Sequence, residues 1–294
     1  MAAGGAGVLS SDDPGRRRGG GACGGSDTVG GRVLSFLVEA GIVFVGDVHR
    51  RWDLVERGLE ALARPARHVV LLGDMECHAP LDLLAAPILA HGAGLHWIFG
   101  NHDRDGGPEM WANLADPARN PLTAAGALHA KVVEVGGVRI AGLGGTFNTR
   151  VWHPPRPWRL FGRDELAADM ATLGAGWSAD STASLAAALA ALAIWPEDVE
   201  ALAGQRADVL VAHEAPSSHP SGAAVIDGFA RAMGAGLVVH GHHHVGYRAS
   251  AEDGLEVQGV AAAWGMDAAG GAYWRGERER RLGAAPAGWR YREA

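Results

Sequence analysis

The side chains most capable of chemistry stand at the ends of five short apolar runs. The runs cover residues 42–45, 68–72, 95–99, 209–212 and 237–239. The Asp, Asn and His residues that follow them are Asp47, His49, Asp74, Asn101, His102, Asp103, His213, His242 and His244. In α/β sheets, ligands collect at the carboxyl ends of the strands, so these side chains can converge although they are distant in the chain. Helix capping or an Asx-turn explains any one of them alone, but the joint pattern favours a binding site.

The donor types indicate a metal site. Mixed carboxylate, amide and imidazole ligands suit Mn²⁺, Fe and Zn²⁺, whereas Ca²⁺ prefers oxygen alone. The only cysteines, Cys23 and Cys77, form no thiolate cluster, which excludes an iron–sulfur centre or a zinc finger. Two adjacent ions need a shared carboxylate, and Asp74, which follows a strand of its own, is expected to bridge them. Such a pair of ions clamps both oxygens of an in-line displacement at phosphorus.

The elements that must position these residues alternate between strands and helices. Strand, polar turn, helix and strand in succession predict an α/β fold. Two helices are predicted at 54–64 and 81–90, a β-hairpin at 132–135 and 138–143, and two further strands at 255–260 and 271–274 that close a second sheet.

The chain divides into three parts by composition. Residues 1–31 are Gly-rich and predict a disordered tail, because they offer too little apolar surface to offset the entropy of ordering. Residues 32–275 form the predicted domain, with a Trp/Pro-rich and then Ala-rich insertion at about 147–200 beside the site. Residues 276–294 are predicted to be an Arg-rich, partly helical tail.

Charge and cysteine usage limit the function classes. The net charge of −7 argues against a nucleic-acid partner, because proteins that bind by phosphate neutralisation carry a basic stripe. Two cysteines in 294 residues make a reducing cytoplasm the simpler location. No apolar run is long enough for a membrane span, so no membrane partner is expected.

Five sequence blocks carry a resemblance to a known family. They are Gly46-Asp47-Val48-His49, Gly73-Asp74, Gly100-Asn101-His102-Asp103, His213 and Gly241-His242-His243-His244. In order and spacing, from about residue 41 to 245, they resemble the signature blocks of the calcineurin-like metallophosphoesterases. The resemblance implies an α/β fold built as a four-layer α/β/β/α sandwich, with two mixed β-sheets flanked by helices and a two-metal site at the strand ends.

The same resemblance implies roles for the residues. Asp47, His49 and His244 would hold one metal ion; Asn101, His213 and His242 would hold the other; Asp74 would bridge them. His102 would be the catalytic histidine, with Asp103 orienting and charging it. The expected nucleophile is a hydroxide that bridges two Mn, Fe or Zn ions.

The departures from the family pattern narrow the function. Arg50 after the first histidine, Met75-Glu76-Cys77 in the second block and Asp103 after Asn-His differ from protein Ser/Thr phosphatases. The expected activity is therefore hydrolysis of a phosphate mono- or diester of a small molecule or nucleotide. A protein phosphatase or a nuclease remains an alternative, and a non-catalytic binding module is the weaker one because no ligand is missing.

Two features stay open between a functional and a structural interpretation. Arg50, Arg51 and Arg104 follow the ligand blocks and either bind substrate phosphate or are ordinary solvated arginines. The stretch 150–159 mixes Trp, Arg and Pro, and forms either a lid over the site or a Pro-stiffened loop pinned to the body. The sequence gives no indication of oligomeric state.

Overall fold

A computed structural model describes residues 37–174 and 176–292. The predicted tail at residues 1–31 lies outside the described residues. The described chain forms two mixed β-sheets, of five and seven strands, that pack face to face and carry helices on their outer faces. This confirms the predicted four-layer α/β/β/α sandwich.

The five-stranded sheet contains the first three predicted strands. Its order is β11-β10-β1-β2-β3, with β1, β2 and β3 parallel and β10 and β11 antiparallel at one edge. The bounds are β1 Ile42–Val45, β2 His68–Leu71, β3 Gly94–Trp97, β10 Gly265–Met266 and β11 Ala272–Trp274. The parallel core brings the carboxyl ends of three strands to one edge.

The seven-stranded sheet has the order β12-β8-β9-β7-β6-β5-β4. Strands β5, β6, β7 and β9 are parallel, and β4, β8 and β12 pair antiparallel. The bounds are β4 Lys131–Val135, β5 Val138–Leu143, β6 Val209–Ala212, β7 Leu237–His240, β8 Tyr247–Ala251, β9 Glu256–Gly259 and β12 Trp289–Arg292.

The helices connect the parallel strands. Their bounds are α1 Trp52–Glu60, α2 Leu81–Leu84, α3 Ala86–Ala90, α4 Pro108–Ala115, α5 Leu166–Ala171, α6 Ala179–Leu192, α7 Pro196–Leu202 and α8 Ala224–Met233. Within the described residues, no helix is long and apolar enough to cross a membrane.

Alternate residues along each central strand enter different layers of the core. Phe44 and Val70 pack between the two sheets against Ile140 of the facing sheet, while Val43 and Val69 face the helices of the first outer layer. This period of two follows from strand geometry. Strands buried on both faces read as continuous apolar runs, which is why the sequence showed them so clearly.

Four of the sequence-based predictions differ from the structure. The helix expected at 54–64 ends at Glu60, and the single helix expected at 81–90 is two short helices that meet at Ala85, with Pro87 in the first turn of the second. The strands expected at 255–260 and 271–274 join different sheets. The expectation of a partly helical tail is wrong for residues 289–292, which form β12 against β8.

The predicted insertion is the crossover between β5 and β6. Because these two strands are parallel, the chain must return along the sheet before it can enter β6. Helices α5, α6 and α7 make this return, and their apolar residues pack on the outer face of the seven-stranded sheet.

Candidate metal centre

The predicted ligand residues meet where the two sheets present the carboxyl ends of their parallel strands. Asp47 and Asp74 follow β1 and β2, whereas His213 follows β6 and His242 follows β7. Asp74, His213 and His242 each offer one oxygen or nitrogen atom, and these three atoms lie within 4.8 Å of one another. Residues from both sheets therefore converge on one small volume.

One oxygen of Asp74 is central to this volume. Oδ1 accepts a hydrogen bond of 2.8 Å from the backbone N–H of His102, but the buried Oδ2 has no hydrogen-bond partner within residues 37–174 and 176–292. Oδ2 lies 3.4 Å from Nε2 of His213 and 3.8 Å from Nε2 of His49. A buried carboxylate oxygen without a donor is costly, so this arrangement fits a cation between the carboxylate and the two imidazoles.

The histidine rings are held with one nitrogen turned towards this volume. Nδ1 of His213 donates to the carbonyl oxygen of Leu72 over 2.7 Å, which turns Nε2 towards Oδ1 of Asn101 at 3.1 Å. Nδ1 of His49 donates to Oε1 of Glu76 over 2.7 Å. Hydrogen bonds of this kind fix the tautomer of a metal-binding histidine.

The second half of the site is built around Asp47. Both of its carboxylate oxygens accept from the backbone N–H of His242, at 3.0 and 2.9 Å. Nε2 of His244 lies 3.9 Å from Oδ2 of Asp47 and 3.0 Å from Nε2 of His49. The Nε2 atoms of His49 and His244 thus lie close enough to each other to suit two ligands of one ion.

The backbone is strained at the residues that supply these side chains. His49, Asp74, Glu76, His242 and His244 all have φ between 43° and 69°, a region that non-glycine residues rarely adopt. Such conformations cost about 1–3 kcal/mol each and cluster at functional sites.

Glycines before the ligands allow the close approach. A Cβ atom on Gly100 would overlap Oδ1 of Asp74 and the ring of His213, and one on Gly241 would lie 2.7 Å from Oδ1 of Asp47. The glycines of the sequence blocks are therefore required by packing around the carboxylates.

Burial and charge set the protonation of the site without metal. Burial opposes the charge on His213, but the neighbouring carboxylates of Asp74 and Asp47 raise its pKa to about 10. Burial raises the pKa of Asp47 to about 6 and lowers those of His242 and His244 to about 3 and about 4. Imidazoles that stay neutral near pH 7 are available as metal ligands. The residues present thus fit a metal centre by donor type, orientation and the unpaired oxygen of Asp74.

The sequence comparisons agree with this geometry. The family model described as calcineurin-like phosphoesterase matches residues 41–246. An uncharacterized protein of Haemophilus influenzae is 33% identical over 206 residues, which cover 69% of this chain and 83% of the relative. The chain belongs to the calcineurin-like phosphoesterase family. Membership implies hydrolysis of a phosphate ester and divalent metal ions as cofactors.

Solved structures with a similar chain path are more distant. TT1561 of Thermus thermophilus matches with a TM-score of 0.48 and 13% identity, covering 79% of this chain and 96% of its own. A dimetal phosphatase from Danio rerio matches with a TM-score of 0.42 and 14% identity, covering 76% and 87%.

The predicted partner of His102 in this phosphoesterase is corrected by the structure. Asp103 is fully buried, and its carboxylate accepts from the backbone N–H groups of Gly100 and Glu76, both at 2.8 Å. Nδ1 of His102 instead donates to Oδ2 of Asp105 over 2.6 Å. Asp103 therefore holds two ligand-bearing loops together, and Asp105 orients the imidazole.

The His102 ring is exposed beside the ligand cluster. Its centroid lies 5.4 Å from that of His49, and 45% of the side chain is accessible. Burial lowers its pKa, but the hydrogen bond to Asp105 and the charge of Asp74 outweigh this and raise it. The His102 imidazole is thus accessible from solvent next to the ligand cluster.

The three predicted substrate-binding arginines lie outside the large cavity described below. Arg50 pairs with Oε2 of Glu76 at 3.1 Å, and Arg51 pairs with Asp53 and Glu277 at 3.0 and 2.8 Å. Arg104 is partly exposed. The structure brings Arg50 to the rim of the ligand cluster through Glu76, while Arg51 is engaged with two carboxylates.

A cavity of about 840 Å³ adjoins the ligand cluster. Asn101 and His242 line it, so it is continuous with the candidate metal centre. The stretch 152–158 of the predicted lid lines it, and so do Glu214 and residues 221–225, which follow β6. The burial of Trp152 fits the interpretation of this stretch as a pinned loop. The loop also borders the site, because its residues line the cavity.

Sequence reasoning assigned no role to three residues of this region. Glu76 forms a hydrogen bond with His49, and Asp105 forms one with His102. Glu214 lines the cavity. Each stands close to a signature block, and proximity to a block was the only signal that the sequence offered.

Proposed function

We propose that this phosphoesterase uses two metal ions to hydrolyse a phosphate mono- or diester of a small molecule or nucleotide. The observation that carries the proposal is the Oδ2 atom of Asp74, which has no hydrogen-bond partner among the described residues and lies 3.8 Å from Nε2 of His49 and 3.4 Å from Nε2 of His213. A single oxygen shared by two sets of ligands is what a bridging carboxylate requires.

The ligands divide into two sets around Asp74. Asp47, His49 and His244 would hold one ion, supported by the 3.0 Å approach of the two imidazole nitrogens. Asn101, His213 and His242 would hold the other, supported by the 3.1 Å distance between Asn101 and His213. The donor set suits Mn, Fe or Zn.

The chain's own residues would supply proton transfer and orientation. When bound, two such ions neutralise the phosphate charge and activate water for attack at phosphorus. Nδ1 of His102 is held by Asp105, so its Nε2 is free to donate a hydrogen bond to a phosphate oxygen or a proton to the leaving oxygen. Glu76 keeps the proton of His49 on Nδ1 and so keeps Nε2 available as a ligand.

The walls of the cavity favour the phosphate ester of a small molecule over a nucleic-acid substrate. A cavity of about 840 Å³ closed on one side by the 152–158 loop suits a small molecule, and cavities of this size typically bury most of such a ligand. A nuclease would need an open groove with positive charge along it. A binding module without chemistry would not need His102 held by a carboxylate beside the ligands.

The test is metal-dependent hydrolysis by the purified full chain. We expect turnover of bis-4-nitrophenyl phosphate or 4-nitrophenyl phosphate with added Mn²⁺, and the preferred ester distinguishes diesterase from monoesterase. His102→Ala should lower kcat by at least about 100-fold, in the range of lost acid–base catalysis. Asp74→Asn should abolish binding of the second ion, measured as metal per chain. Absence of metal binding by the wild-type protein would overturn the proposal.

A further inference from the structure

The cavity beside the metal centre has an aromatic wall. Phe147, Trp152 and Trp158 line it, and their rings are packed edge to face in a row. The ring centroids lie 5.0 Å apart for Phe147 and Trp152 and 5.2 Å apart for Trp152 and Trp158. Edge-to-face packing of this kind is a stable arrangement. Trp152 is buried within the row, whereas Phe147 and Trp158 are partly exposed and offer the surface for a further partner.

The wall is held rigidly. Nε1 of Trp152 donates to the carbonyl oxygen of Arg156 over 3.1 Å, which fixes the indole within its own loop. Trp152 is also packed against Phe229 of α8, at a centroid distance of 6.2 Å. A planar ligand would therefore meet a preformed surface and would order few side chains on binding.

Glu214 is the carboxylate of this cavity. It is partly buried, and its Oε1 accepts a hydrogen bond of 2.9 Å from the backbone N–H of Phe147. Across residues 37–174 and 176–292, no arginine, lysine or histidine forms an ion pair with it. A carboxylate offers about four acceptor positions, and the hydrogen bond from Phe147 uses only one of them.

We propose that this cavity binds the nucleoside part of the phosphate ester, with the base against the aromatic wall and its exocyclic amino group donating to Glu214. The proposal rests on the proposed function, because Asn101 and His242 place the cavity next to the expected phosphate position. An acceptor-only side chain beside aromatic rings selects a planar ligand that carries a donor, and an amino-substituted base combines both. Glu214 is thus a specificity-determining residue.

The test compares two nucleosides that differ only in that donor. Adenosine and purine riboside, which lacks the 6-amino group, are titrated against the full-length, metal-loaded protein, with quenching of tryptophan fluorescence as the readout. We expect adenosine to bind at least about tenfold more tightly, because purine riboside leaves the carboxylate without its donor. Neither ligand contains phosphate, so the result does not depend on hydrolysis.

Glu214→Gln gives the sharper result. The backbone N–H of Phe147 still needs an acceptor, so the amide oxygen of the new side chain turns to it and the NH₂ group faces the cavity. The preference for adenosine should then disappear or reverse. Glu200→Gln removes the same charge from an exposed position on α7 and serves as the control, with the preference expected to remain.

The outcomes separate this proposal from the proposed function. Hydrolysis of 4-nitrophenyl esters without any preference between the nucleosides overturns the nucleoside site and leaves the phosphoesterase intact. A preference that Glu214→Gln abolishes supports the site even in a protein that hydrolyses nothing. A Mn²⁺ ion bound by the wild-type protein and lost in Glu214→Gln would overturn it, because Glu214, His242 and His243 would then share a cation.

Discussion

At the scale of single residues, the contacts of His102 show that two nearby carboxylates have different roles. Asp105 contacts the imidazole, whereas Asp103 binds backbone N–H groups of two loops. Asp105→Asn should lower kcat roughly tenfold, because the neutral amide stabilises a protonated imidazole less well than a carboxylate does. The loss should be larger for phenyl phosphate than for 4-nitrophenyl phosphate, since the poorer leaving group depends more on a proton donor. Steady-state kinetics with both esters measure it.

Asp103→Asn provides the contrast. Its carboxylate is fully buried and accepts two backbone hydrogen bonds, so the substitution should cost about 1–3 kcal/mol of the free energy of unfolding. Urea denaturation of both variants compares the two effects. Equal losses of stability in Asp105→Asn and Asp103→Asn would contradict the assignment of separate roles.

The predicted site residues and the missed ones differ in what places them. Asp47, Asp74 and His213 follow buried strands, so strand topology alone brings them to one edge. Asp105 lies in an irregular turn after β3, where the direction of a side chain depends on local backbone angles that no periodic pattern encodes. This is why the sequence favoured the adjacent Asp103 as the partner of His102.

At the scale of elements, the loops after the strands depend on glycines. Gly100→Ala should destabilise the protein by several kcal/mol or weaken metal binding, because the added methyl group meets Asp74 and His213, which other contacts hold in place. Gly228→Ala is the matched control. Gly228 lies in α8 and is exposed, and within the described part of the chain an added Cβ would meet no atom within 4 Å beyond its neighbours and its own helix backbone. This change should therefore stabilise the protein by about 0.5–1 kcal/mol. Thermal melts and metal content measure both.

A histidine pair on β2 and β3 predicts acid sensitivity away from the metal centre. Burial and the nearby His68 lower the pKa of His96 to about 4 from its ordinary 6.5, and the two rings lie 5.6 Å apart. The folded state disfavours protonated His96. The contribution of neutral His96 to the free energy of unfolding is therefore complete above pH 6.5 and is lost as pH falls towards 4. After allowance for partial solvation, the loss is about 1 kcal/mol.

His96→Asn should flatten this dependence. Urea denaturation at pH 7.5 and pH 5.0 gives the change in the free energy of unfolding between the two pH values, for the wild-type protein and for the variant. Subtracting one change from the other removes the contribution of the other histidines. An unchanged difference in the variant would show that His96 is solvated in the folded state.

Elements were predictable where their signal was strong and local. Central strands are continuous apolar runs, so their existence followed from the sequence. Residues 289–292 alternate between Trp or Tyr and Arg, the period of a half-buried strand, but the surrounding arginines suggested a tail. Their place at the edge of the seven-stranded sheet depends on pairing with β8, a contact that local sequence does not specify.

At the scale of the whole molecule, the fold and the metal centre have separate sources of stability. Three apolar clusters, one between the sheets and one under each helical layer, consist of residues such as Phe44, Val70 and Ile226, which lie outside the ligand set. The ligands, by contrast, lie in strained loops at the strand ends. We therefore expect the metal-free protein to remain folded while its loops at the site lose stability.

Metal removal tests this separation. Chelation should leave the far-UV circular dichroism unchanged and abolish hydrolysis. Each Mn²⁺ ion at about 100 times its Kd should add about 2.7 kcal/mol and raise Tm by roughly 5–10 °C, since the ions bind only the folded state. Calorimetric melts across a Mn²⁺ titration measure the shift, and Asp74→Asn should remove most of it because both ligand sets share that carboxylate. A Tm that does not respond to Mn²⁺ in the wild-type protein, or responds equally in Asp74→Asn, would show that the ligand cluster is not where the metal binds.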